Sequence, residues 1–400
     1  MGEKFAALVA FLTLWREAIM AGPGCPGRAL ERQGEHTKQR DPEERHMQFS
    51  ICVMANIDEI DFFAHAENLG YTAVWVADSQ MLFSDCYAVL ALAAARTQRL
   101  RLGPGTAICG TRLPPVQVAA VATLNRLAPG RIHLGIGTGN TAMRAMGQKP
   151  MRIKDYTEYV RVLSGLLRGD TVDYTYHGVT RPIKMLMHDH QYMNLEPHIP
   201  LYVSGFGPRA MQLAGVYGDG LVFAIPPRGM AVPEALAHVR QGAMQVGRSL
   251  EGFRTCALTN LVLLEPGEAV DSERVIRLIG PNVMASVYYF FDAVHEHDIE
   301  PPDFLRPYWQ RYWALVAETP AQHWHLRTHE YHYTALHPGE AELMDAALIR
   351  ATCLVGTAEE LIEQIRELEG QGLQELMFAT GNAEKWRFAE AFARQVMARL

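Results

Sequence analysis

Cysteine is scarce in this 400-residue sequence: Cys25, Cys52, Cys86, Cys109, Cys256 and Cys353 stand far apart, with no Cys-x-x-Cys pair. That spacing excludes a disulfide framework and a thiolate zinc site, and fits reduced packing thiols in a cytoplasmic protein. Positive charge is short as well. Lys and Arg number 37 against 44 Asp and Glu, a net charge of -7, so nucleic acid and anionic membrane are excluded as partners. The early apolar run "FAALVAFLTLW" is too short to span a bilayer, has Arg16 and Glu17 directly after it, and lacks a small-residue cleavage site. What remains is 48% hydrophobic and 20% charged, a globular composition with room for a large core and a small or medium organic molecule as substrate.

The polar stretch "ERQGEHTKQRDPEERH" leads to Met47, directly before the first apolar strand pattern, which makes Met47 a candidate natural start. Residues 1–46 are therefore set apart as an N-terminal extension, and 47–400 as one domain. From Gln48 onward strands and helices alternate. "FSICVM" reads as a strand, followed by a helix with Asp58 as N-cap and Gly70 as its stop. Strands follow at "AVWVAD", "LRLGPGT", "IHLGI", "IPLYVS", "GLVFA", "TCALTNLVLLE" and "LQELMFATG". Between them lie helices such as the one expected to bury Val116, Ala119, Ala120, Thr123, Leu124 and Leu127, and another with Ile153, Tyr156, Val160, Leu163 and Leu167 on one stripe. Thr357 and Glu360 have the spacing of a capping box. Eight such repeats predict an α/β fold, a (β/α)8 TIM barrel with insertions at about 171–199 and 280–350; a doubly wound sheet is the alternative.

Two glycine-rich turns stand at strand ends. In "GIGTGN" the dinucleotide fingerprint needs a third glycine where Asn140 stands, counting from Gly135 and Gly137. It is read instead as a barrel-mouth loop that lets backbone approach a planar or phosphorylated ligand. In "VSGFGPRAM", Pro208 suits the first helical position and Arg209 the first turn. A helix N-terminus presents free N–H groups and partial positive charge, so a phosphate belongs there.

The stretches "LRLGPGTAICGTRLPPVQVAAVATLNRLAPGRIHLGIGTGN" and "IPLYVSGFGPRAMQLAGVYGDGLV" closely resemble the luciferase-like superfamily of flavin monooxygenases and coenzyme F420-dependent oxidoreductases, and within it the methylenetetrahydromethanopterin reductases. The likeness runs from Phe49 to Phe223 and again from Cys353 to Thr380. It implies a barrel holding FMN or F420, a non-proline cis peptide at Gly105–Thr106, and a phosphate at Ser204, Gly205, Phe206, Gly207 and Arg209. It further implies ring contacts from Asp78, Thr106, Gly137, Thr138 and Asn140, and a homodimer. Many deazaflavin members carry Asp-His after the second strand; here the pair is Asp78-Ser79, which puts Ser79 in the histidine's place.

The segment "QHWHLRTHEYHYTALHPGE" holds five histidines, but "HEYH" is one residue short of a zinc-binding H-E-x-x-H, so no metal is expected. The insertion is expected to fold over the mouth, with His329 and His332 as proton-handling candidates beside Ser79. Trp75, Met81 and Phe206 are apolar groups suited to keeping the site dry. The sequence alone favours a monooxygenase using reduced FMN and oxygen, served by a separate flavin reductase. The thin basic set at the rim, Arg209 and Arg228, argues against a polyanionic F420 tail. An F420-dependent reductase or dehydrogenase is the alternative, and a non-catalytic flavin-binding protein the second.

Overall fold

The computed structural model describes residues 47–188, 191–381 and 384–400. The expected extension at 1–46, with Cys25 in it, lies outside the described residues. Chain order gives β1 (Gln48–Met54), β2 (Ala73–Ala77), β3 (Arg101–Pro104), β4 (Ala107–Ile108), β5 (Leu134–Gly137), β6 (Val172–Tyr176), β7 (Val179–Ile183), β8 (Leu201–Ser204), β9 (Gly220–Ala224), β10 (Arg254–Thr259), β11 (Leu261–Leu263), β12 (Leu354–Gly356) and β13 (Glu375–Thr380). Nine of these form one parallel sheet in the order β3-β2-β1-β13-β10-β9-β8-β5-β4. β3 and β4 are two halves of one strand, interrupted by the cis peptide Gly105–Thr106. Because β4 pairs with β5 and Leu102 bridges Ile132, the sheet returns on itself as the expected eight-position barrel.

The barrel strands are apolar on both faces, which suits a parallel sheet covered outside by helices and filled inside by side chains. Trp75, Tyr202, Cys52, Cys256 and Met377 pack within it. Near the strands' N-terminal ends, Arg101 sits 3.0 Å from Glu375, whose other oxygen accepts from Trp75 Nε1 at 2.9 Å. His133 is tucked against the Trp75 ring. These groups plug the base, so the only way in among the described strands is from their C-terminal ends.

Two local expectations are corrected. The helix Pro114–Leu127 buries Val118, Val121, Ala122, Leu124 and Asn125, while Val116 and Leu127 are about half exposed. Several overlapping small apolar residues offered two stripes, and the one carrying the branched Val118 and Val121 faces the barrel. Each such fully buried side chain contributes roughly 1.5–3 kcal/mol. Ahead of the first helix a short 3-10 turn, Ile57–Glu59, is capped by Asn56, whose side chain accepts from Asp58 N–H, and the helix Asp61–Asn68 that follows has no side-chain cap. The buried stripe with Tyr156, Val160, Leu163 and Leu167 forms as expected, as does the Thr357–Glu360 capping box.

The expected seventh strand splits at Asn260. β10 stays in the barrel, whereas β11 leaves it and pairs in parallel with β12. The split is stabilised by the buried Asn260 amide, which donates to Asn282 O and Thr352 O. Between β11 and β12 lies a helical insertion with its own core, built on the long helix Glu273–His297. It begins before residue 280. The other insertion is the antiparallel hairpin β6–β7. No helix among the described residues is long and apolar enough to cross a membrane.

Candidate functional site

A cavity of about 420 Å3 opens at the C-terminal ends of the barrel strands. Every barrel strand end contributes to it, as the fold demands of loops free to vary around a fixed frame. Of the residues singled out in the sequence, Asp78, Ser79, Gly105, Thr106, Gly137, Thr138, Asn140, Ser204, Gly205, Phe206, Gly207 and His332 line it. Arg209 is exposed at the outer start of its helix, and His329 is buried elsewhere. Trp75 lies deeper, bonded to Glu375, and Met81 is 69% exposed; of the three shielding candidates only Phe206 reaches the cavity.

The two glycine loops are held in place by one side chain. The Tyr156 hydroxyl lies 2.6 Å from Ile136 O and 3.1 Å from Ser204 O, tying the ends of β5 and β8 to the helix Ile153–Leu167. Gly139 turns the first loop with φ 88°. In the second, a Cβ on Gly205 would stand 2.1 Å from Ala210 Cβ, so backbone and helix approach as only glycine permits. Past it, Gly207 faces open space, and no side chain caps the helix Pro208–Tyr217. The N–H groups of Phe206, Gly207 and Arg209 find no acceptor among the described residues. Such an open helix start, with free N–H groups and partial positive charge, has the geometry that suits an anion.

Buried polar atoms without protein partners also face the cavity. Asp78 is buried at the cavity wall, and its Oδ2 is unpaired. Burial pushes the Asp78 carboxyl up, against the opposing pull of Arg112. His332 Nε2 lies 3.0 Å from the Thr141 hydroxyl, leaving Nδ1 unpaired. Burial first, then His329 and Arg228, hold this imidazole well below its usual range, so it is neutral at pH 7. His329 instead stands 3.2 Å from Asp292.

Several lining residues carried no motif: Phe83, Tyr289, Tyr333 and Met377. Tyr289 and Ala285 share one face of the long insertion helix, at the i, i+4 spacing that also brings Asp292 and Glu296 into line. Among the described residues no group of three or more His, Cys, Asp or Glu is arranged to hold a metal.

A closed (β/α)8 barrel whose mouth carries an uncapped helix start and buried, unpaired polar atoms is the kind of site that barrel enzymes build at their strands' C-terminal ends. The chain belongs to the luciferase-like monooxygenase family, which it matches over residues 35–375. The superfamily to which that family belongs is one of flavin- and F420-dependent oxidoreductases. The chain is 27% identical over 224 residues to 5,10-methylenetetrahydromethanopterin reductase of Archaeoglobus fulgidus, a match covering 54% of this chain and 64% of that protein. It is 28% identical to 4-hydroxyprotoasukamycin monooxygenase of Streptomyces nodosus subsp. asukaensis, over 76% of this chain and 74% of that one. Its fold is similar to the F420-dependent tetrahydromethanopterin reductase of Methanopyrus kandleri, with a TM-score of 0.62 at 20% identity, covering 88% of this chain and 99% of the other.

Proposed function

We propose that the chain is an F420-dependent oxidoreductase that moves a hydride to or from a small organic substrate, with FMN-dependent monooxygenation as the second reading. The observation that carries it is the pairing in one cavity of Asp78 Oδ2 and His332 Nδ1, two buried atoms without protein partners. Two-electron reduction of a carbonyl or imine needs a proton beside the reacting carbon, and oxidation of an alcohol needs a group to take one. Asp78, buried with its Oδ2 unpaired and turned to no protein partner, is suited to exchange a proton with the substrate. His332, neutral and unpaired at Nδ1, is suited to accept or to orient a hydroxyl. The likeness to F420 enzymes in sequence and fold supports this reading over the one that charge alone favours; the monooxygenase relative keeps the second reading alive.

The cavity's residues fit such a cofactor. Its phosphate belongs at the open start of the helix Pro208–Tyr217, against Ser204, Gly205, Phe206 and Gly207, with Arg209 outside. Its ring belongs among Asp78, Thr106, Gly137, Thr138 and Asn140. When bound, it supplies the hydride chemistry; the chain binds it, orients the substrate and handles protons. Ser79 offers a further hydroxyl on the same wall. The test is equilibrium titration with F420 and FMN in both redox states, followed by oxygen uptake. Preferential binding of F420 with no oxygen consumption supports hydride transfer. Preferential binding of reduced FMN with rapid oxygen uptake overturns it.

A further inference from the structure

Arg228, on the loop after β9, is the only Lys or Arg side chain lining the cavity among the described residues. It is half-buried, and no carboxylate stands within ion-pair distance of it among those residues. Its one hydrogen bond there runs from Nη1 to the Tyr333 hydroxyl, at 2.8 Å. A guanidinium has five N–H donors in a rigid plane, so four are left over. Tyr333 is 7% exposed, and since its oxygen accepts from Arg228, its own O–H is free to donate. Two neighbouring donors therefore line one cavity, whose wall also holds Met54, Phe83, Leu258 and Met377.

An unpaired cation in such surroundings is costly unless a ligand supplies the counter-charge. Asp78, the one carboxylate on the wall among the described residues, makes no ion pair with Arg228, and burial keeps His332 neutral. The open start of the helix Pro208–Tyr217 already provides a separate place for a cofactor phosphate. Tyr333 belongs to the insertion rather than to that helix start, which ties Arg228 to the part of the wall built outside the barrel frame.

We propose that Arg228 and Tyr333 form the receptor for an oxyanion, a carboxylate or a sulfonate, carried by the organic substrate. This rests on the reading of the cavity as a cofactor-and-substrate site, and it names the substrate class. The planar fork of arginine matches both groups in a bidentate way, and a charge-assisted pair of this kind favours an acid over its amide by about tenfold or more.

The experiment is calorimetric titration of the cofactor-loaded protein with benzoate, phenylacetate, 4-methylvalerate and benzenesulfonate, each beside its neutral amide. At least one acid is expected to bind about tenfold more tightly than its amide. Arg228→Gln is expected to erase that preference with cofactor affinity within about twofold, Arg228→Lys to keep part of it, and Tyr333→Phe to reduce it several-fold; the last two carry the test should the glutamine variant not fold. No preference for any acid overturns the proposal. So does a tenfold loss of cofactor affinity in Arg228→Gln, with inorganic phosphate competing against the cofactor in the wild type alone, because the anion received is then the cofactor's own phosphate. Acid preference in a protein that binds neither F420 nor FMN sinks the proposed function and leaves the receptor standing.

Discussion

Arg144 and Asp292 join two elements far apart in sequence: Nε of the arginine, in the short helix after β5, lies 3.1 Å from Oδ2 of the aspartate on the insertion helix. The same guanidinium pairs with Glu296 and donates to Asn140 Oδ1 at 3.3 Å. The insertion is thereby clipped to the loop that presents Asn140 to the cavity. With Asn140 Oδ1 engaged, its amide N–H groups are left for a ligand. Both partners are only 13% and 15% exposed. Removing the cation therefore leaves Asp292 with His329 alone and Glu296 with the exposed Lys149 at 3.6 Å, two poorly solvated carboxylates that lose their buried guanidinium.

Arg144→Met is therefore expected to lower unfolding free energy by about 2–3 kcal/mol in urea titrations. Adding Asp292→Asn should recover part of that loss, giving a coupling of about 1 kcal/mol or more in a double-mutant cycle. Additive effects would mean that the two residues do not share an interaction.

At the cradle, Gly207 and Gly205 should separate binding from folding. A side chain at Gly207 meets nothing within 4 Å, so Gly207→Val is expected to keep the melting temperature within a few degrees while weakening cofactor affinity more than tenfold. Gly205→Val, aimed at Ala210, should cost stability itself. Arg209→Ala, at an exposed position, is expected to weaken binding by no more than about 1 kcal/mol. Calorimetry beside thermal melts distinguishes the three.

The two histidines of the insertion should also part company. His332→Gln is expected to lower kcat by about ten- to a hundredfold with cofactor affinity little changed, since its ring lines the cavity. His329→Gln should act on stability, because it faces Asp292. Steady-state kinetics and melting curves on the pair test the assignment.

Acid should loosen the barrel base through His133. Burial first, then the Arg101 charge, push this imidazole down to about 3, with Glu375 opposing. The folded form thus binds the proton less readily than the unfolded one. The stability this group contributes is full above about pH 6.5 and is lost as pH falls from there through about 3. His133→Phe should flatten that decline by up to about 1.4 kcal/mol per pH unit. Equal slopes in the two proteins would assign the acid sensitivity to other groups.

Much of the frame was readable because strand–loop–helix alternation repeats along the chain and turn glycines announce each loop. The tight turn at Gly205 and Gly207 and the helix start after it belong to one local motif, so local reasoning reached their shape. The row Ala285, Tyr289, Asp292, Glu296 was not legible, since an i, i+4 stripe of mixed character in an insertion says nothing about which surface it meets. Arg228 was visible only as a basic residue near a strand end; its lack of a counter-charge exists only once the insertion is folded beside it. The slip at Val116 had a simpler cause: Ala119 and Ala120 fit either stripe, and periodicity alone does not choose between them.

The insertion departs from the barrel at β11 and comes back at β12, with Leu261 beside Leu354 and Leu263 beside Gly356. Its two ends are thus neighbours, like the ends of a graft on a stem. Everything between them can be lengthened, shortened or exchanged without changing the span that the barrel must bridge from β10 to the helix Ala358–Gly370. Exchange of residues 265–353 between relatives is, on this geometry, a route by which one frame acquires new chemical tastes while its cofactor cradle stays untouched.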